Sequence, residues 1–129
     1  MPQVHVLKVA EDELLPTCAV SDPARAAHFL RGWGAELVIV TRAEKGCLYE
    51  GSVAGTGVVP TTPSPVVDST GAGDGFVGGF WVSMLERPTL AFDREAVEAA
   101  CAFGHRVAGR VVGALGATAA LPRRRDLTP

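Results

Sequence analysis

Residues 67–76, Val-Asp-Ser-Thr-Gly-Ala-Gly-Asp-Gly-Phe, place three positions with little or no side chain directly ahead of an apolar run of helical period. From Gly73 to about Glu86, the residues Phe76, Val77, Phe80, Trp81, Met84 and Leu85 recur three and four apart, which predicts a helix with its apolar face inward. At Gly71, Ala72 and Gly73 the amides can crowd an anion where the free donors and positive dipole of a helix start already favour negative charge. Asp74 falls in the first turn, beside that anion site. A carboxylate there is ill suited to holding phosphate, since like charges repel, but suited to accepting a proton from an attacking hydroxyl. The plainer reading of the same residues is a glycine-rich turn capping a core helix.

The remaining elements alternate. A strand at 4–9 leads into a short acidic helix at Glu11, Asp12 and Glu13, and a helix at 23–32 has Asp22 as N-cap and Pro23 in its first turn. Strands follow at 37–41 and 47–49, a turn or irregular strand pair at 51–57, and an extended connector through Pro60, Pro63 and Pro65. Another helix begins after Asp93 and runs through Ala96, Val97, Ala100, Phe103, Val107 and Val111. Strand–helix alternation predicts an α/β fold with a mostly parallel sheet and helices on both faces, as one domain over residues 1–129. The spacing of Phe76, Phe80 and Trp81 on one helix marks them as core.

Composition narrows the function classes. With 129 residues, 47% hydrophobic and 20% charged, the chain can build a packed core. A formal net charge of −2 and one basic cluster, Arg123-Arg124-Arg125, without interleaved aromatics argue against a nucleic-acid partner. No apolar run reaches membrane-span length and no signal peptide precedes the first strand. Three widely spaced cysteines, Cys18, Cys47 and Cys101, suit reduced thiols in a cytoplasm and lack zinc spacing.

The string D-S-T-G-A-G-D-G-F resembles the second signature of the ribokinase-like (PfkB-type) carbohydrate kinases, usually written D-T-x-G-A-G-D-x-F, and departs from it only at Ser69. The resemblance implies ATP-dependent phosphorylation of a sugar hydroxyl, with Asp74 as catalytic base and Gly71, Ala72 and Gly73 holding the migrating phosphoryl group. Residues 37–48 resemble the family's Thr-Leu-Gly-x-x-Gly nucleotide loop. Thr41 and Gly46 match, Arg42 replaces the usual Leu, and Ala43 replaces the first Gly, where positive φ would be strained. His105 matches a position that carries Asn or His against adenine. Lys8 and Glu13 resemble the fructokinase-like Lys-x-Ser-x-x-Glu segment, with Ala10 in place of the polar residue, and imply that Glu13 helps organise Mg2+. Its plainer reading is an acidic first helical turn. Asp68 and Thr70 match half of a monovalent-cation (K+) site whose other half falls at Val111, Ala114, Gly116 and Ala120. The resemblance runs from about Val4 to Leu121 and covers only the C-terminal part of a typical member. The segment expected to hold most sugar contacts and the lid lies outside it, so the chain alone is expected to be a poor kinase. An uncovered sheet edge would favour self-association or a complementary N-terminal half.

Two rival readings exist. A truncated kinase could persist as a nucleotide- or partner-binding module without activity. Alternatively, Gly73, Gly75 and Gly78 satisfy G-x-G-x-x-G, with Asp93 at roughly the ribose-binding distance, which suggests a dinucleotide-binding oxidoreductase. That second rival puts Asp74 in a pyrophosphate site and gives it no role.

Overall fold

The computed structural model describes residues 5–61 and 71–111. The elements are β1 (Val6–Ala10), a 3-10 turn (Glu11–Glu13), α1 (Leu14–Cys18), α2 (Pro23–Arg31), β2 (Leu37–Thr41), a second 3-10 turn (Ala43–Lys45), β3 (Cys47–Gly51), β4 (Gly55–Val59), α3 (Ala72–Leu85) and α4 (Arg94–Val111). They form two compact units, one from residues 1–60 and 92–97, the other from residues 61–91 and 98–129.

In the first unit four strands lie in the order β1-β2-β3-β4. β1 and β2 are parallel, joined through α1 and α2, whereas β2–β3 and β3–β4 are antiparallel. The α/β architecture stands, but the mostly parallel sheet expected from the sequence is mixed across the described strands. The reason is connection length. Only a crossover long enough to hold a helix returns a strand parallel, and the links between β2 and β3 and between β3 and β4 are too short for one.

Position in the sheet explains the Leu37-Val38-Ile39-Val40 run. β2 is flanked on both sides, and all four residues are buried. Val38 and Val40 join Val9, Leu48 and the α2 residues Ala26, Ala27 and Leu30 in one core, while Leu37 and Ile39 alternate to the opposite face. Asp22 caps α2 as expected, its carboxylate accepting the Arg25 N–H at 3.0 Å, with Pro23 in the first turn. Asp93 does the same for α4, accepting the Ala96 N–H at 2.8 Å.

In the second unit α3 buries Gly75, Phe76, Gly79, Phe80 and Met84. Leu85 departs from the expected inward stripe and is 70% exposed. The buried face instead combines Phe76, Phe80 and Met84, one turn apart, with two glycines that admit α4 closely. A Cβ added at Gly79 would come within 2.9 Å of the Gly104 Cα, and one at Gly104 within 2.7 Å of the Phe76 carbonyl oxygen. Val107 and Val111 complete this packing. Among the described residues, no helix is long and apolar enough to cross a membrane.

Candidate functional site

The start of α3 has the geometry its residues require. Gly71 is the N-cap, with φ 81° and ψ 1°. This left-handed conformation carries a steric cost for every residue with a Cβ. The first helical hydrogen bond runs from the Gly75 N–H to the Gly71 carbonyl at 2.8 Å. The amides of Ala72, Gly73 and Asp74 precede it and have no intrahelical acceptor. Gly73 and Asp74 are exposed, and Asp74 is the acidic residue of the first turn. Among the described residues its carboxylate has no hydrogen-bond or ion-pair partner. The helix start therefore combines amides without an intrahelical acceptor with an exposed acidic residue two positions inside the helix. Asp68, Ser69 and Thr70, as well as Ala114, Gly116 and Ala120, lie outside the described residues, while Val111 is buried at the end of α4.

The turn at 41–46 is a tight hairpin connection. Thr41 closes β2 opposite Cys47, the Arg42 N–H donates to the Gly46 carbonyl at 2.8 Å, and the Gly46 N–H donates to the Ala43 carbonyl at 3.1 Å. Ala43 has φ 52°, so the left-handed backbone survives although the residue is not glycine. Gly46 has φ 83° and ψ −142°, and a Cβ there would come within 2.2 Å of the Val59 carbonyl oxygen. The sequence pointed to Ala43 as a site of strain and the backbone has that strain; the surroundings of Arg42 were not legible. Arg42 is half-buried, with Nε closed off from solvent and lacking an acceptor. The available signal was a cation directly after an apolar strand, at a position where the resembled motif has leucine.

Glu13 performs a local task. Its carboxylate accepts the Ala10 N–H at 2.8 Å, which ties the 3-10 turn to the end of β1. It remains exposed, and among the described residues no group of three acidic, histidine or cysteine side chains could hold a metal ion. His105, on α4, packs its ring on Phe76 with centroids 5.1 Å apart, and its Nε2 is buried without a partner. The dinucleotide rival fails here. Gly73, Gly75 and Gly78 all lie inside α3, whereas that fingerprint needs its first glycine in a strand-to-helix turn, and Asp93 is occupied as a helix cap.

The profile of the pfkB family carbohydrate kinases matches residues 1–124, and the chain belongs to that family. It is 44% identical over 79 residues to the cytidine kinase of Thermococcus kodakarensis, a match covering 60% of this chain and 28% of that protein. Among solved structures, it resembles the aminoimidazole riboside kinase of Salmonella enterica bound to aminoimidazole riboside and an ATP analog. That match has a TM-score of 0.84 and 30% identity and covers 95% of this chain and 40% of that one. A double-mutant fructokinase of Vibrio cholerae O395 bound to fructose, ADP and potassium matches with a TM-score of 0.81 and 25% identity, over 94% of this chain and 38% of that one. The fold is ribokinase-like, and the chain spans well under half the length of these relatives.

Proposed function

We propose that this chain supplies the phosphate cradle and the catalytic base for ATP-dependent phosphorylation of a hydroxyl on a sugar or riboside. The observation that carries the reading is the start of α3, where Gly71, Ala72 and Gly73 offer amides ahead of the first helical bond and Asp74 stands exposed beside them. Positioning and electrostatics supply most of phosphoryl-transfer catalysis. The amides act on the oxygens of the transferred group, and the Asp74 carboxylate accepts the proton of the attacking hydroxyl. Charge separates the two roles, because a carboxylate repels the phosphoryl group and can serve only the acceptor side.

Thr41, Ala43, Gly46 and His105 are assigned to nucleotide contact on the strength of their motif positions. ATP would bring Mg2+ bound to its phosphates and waters. Glu13, whose carboxylate is engaged with the Ala10 amide, can reach such an ion only through water, consistent with the sparse protein ligation Mg2+ accepts. Asp68 and Thr70 are assigned to a K+ site on motif position alone. The acceptor is left as a class, since the relatives named above act on cytidine, aminoimidazole riboside and fructose.

The test is transfer from ATP–Mg2+ to a panel of sugars and ribosides. It is measured on the 129-residue chain alone and mixed with the N-terminal segment of a pfkB relative. Low turnover alone that rises on complementation, and is abolished by Asp74→Asn with nucleotide binding retained, is the expected result. If Asp74→Asn transferred phosphate as fast as the unaltered chain, Asp74 would not be the base. Turnover typical of an intact kinase by the chain alone would remove the need for a second segment.

A further inference from the structure

Arg42 is a feature of the 41–46 turn that the family motif, which has leucine there, does not explain. Its backbone is fixed on both sides, the N–H donating to the Gly46 carbonyl at 2.8 Å and the carbonyl accepting from the Lys45 N–H at 3.1 Å. Its guanidinium is poorly satisfied. One Nη2 hydrogen reaches the Lys45 carbonyl at 3.4 Å, the long limit of a hydrogen bond, and the buried Nε has no acceptor at all. No carboxylate pairs with Arg42 among the described residues, although Glu44 is two positions away.

Arg31 provides the comparison inside the same unit. Its Nε is likewise buried and unpartnered, but Glu50 lies 3.9 Å from its Nη1 as counter-ion. Among the described residues Arg31 has a carboxylate beside it and Arg42 has none. A guanidinium is charged at every accessible pH and offers Nε and Nη hydrogens as a planar fork, whose best complement is a pair of carboxylate or phosphate oxygens.

We propose that Arg42 is a phosphate-binding residue of this turn, its side chain turning outward on binding so that the Nε–Nη2 edge, of which Nε is closed off from solvent here, meets the oxygens of a nucleoside polyphosphate. The proposal rests on reading residues 41–46 as a nucleotide loop. Binding exchanges the weak Lys45 carbonyl contact for a bidentate, charge-assisted one and gives the Nε–H an acceptor. Lys45 adds a second cation to the turn and Glu44 one opposing carboxylate, so the local balance favours an anion.

The experiment is calorimetric titration of the full 129-residue chain with ATP, ADP, adenosine and inorganic triphosphate. Unaltered protein is compared with Arg42→Leu, Arg42→Lys and Arg31→Leu, and the melting temperature of each variant is measured without ligand. Arg42→Leu is expected to weaken ATP, ADP and triphosphate about tenfold or more and to leave adenosine unchanged. Arg42→Lys should retain part of that affinity, and Arg31→Leu all of it. The melting temperature of Arg42→Leu should not fall, because the substitution removes an unsatisfied buried donor. Unchanged ATP affinity in Arg42→Leu overturns the proposal and leaves the nucleotide-loop reading intact. Equal loss of ATP and adenosine would mean that Arg42 only shapes the loop, and equal weakening by Arg31→Leu would mean that only net charge matters; either overturns it. No binding of any probe by the unaltered chain would overturn both the proposal and the loop reading beneath it.

Discussion

The two glycine-bearing turns of this chain treat the same backbone problem differently. At the start of α3 the left-handed position is held by Gly71, and the adjoining Ala72, Gly73 and Asp74 keep the full family motif. At the end of β2 the left-handed position is held by Ala43, and the motif has changed at two of its four defining places. The backbone conformation persists in both. What differs is the local cost: glycine meets the requirement freely, whereas alanine is held there by the hydrogen bonds of the turn and by Gly46 seated against Val59 and Pro60. A turn can thus outlast the residue that best suits it when its neighbours over-determine the conformation.

Substitutions in the two turns sharpen this contrast. The largest effect is expected for Asp74→Asn, which should lower the transfer rate by about 10²–10⁴-fold in the complemented enzyme while sparing ATP binding, read by steady-state kinetics beside titration. Gly46→Ala comes next. It combines a glycine-only backbone with a close contact to the Val59 carbonyl, so chemical denaturation should show a loss of about 3 kcal/mol or more. Gly71→Ala places a Cβ on a left-handed N-cap and should cost about 1–2 kcal/mol in the same measurement. A neutral result there would show that the helix start tolerates strain as the other turn does. The smallest change is Ala43→Gly, which should raise stability by about 0.5–1 kcal/mol, since relief of the left-handed conformation is partly offset by a more flexible unfolded chain. A loss of stability would break the comparison, because Ala43 would then contribute contacts that outweigh its strain.

Much of the fold was legible locally. Asp22 and Asp93 announced their helices because an N-cap acts across three residues, and the uninterrupted Leu37-Val38-Ile39-Val40 run announced a strand buried on both faces. The start of α3 was legible for the same reason: small residues, an acidic first turn and helical period all lie within one short stretch. The inward stripe of α3 was legible only in part. Spacing gave Phe76, Phe80 and Met84 but could not tell that Gly75 and Gly79, not Val77 and Leu85, would face α4.

The sequence by itself determined where the capped helices start, which strand is a buried apolar run, the family, and the identity of the carboxylate beside the small-residue loop, since each depends on neighbours within a turn or two. Only the tertiary structure decided the mixed pairing of the sheet, the engagement of Glu13 with the Ala10 amide, the contact of His105 with Phe76, and the solvent-closed, unpartnered Nε of Arg42. For the pairing and the His105 contact, the physical reason is shared. Strand partners and burial are set by segments distant in sequence, and whether a polar atom finds a partner depends on which groups those segments bring to it. For Glu13 the choice was between a local hydrogen bond and solvent, and only the geometry of the folded turn resolves that.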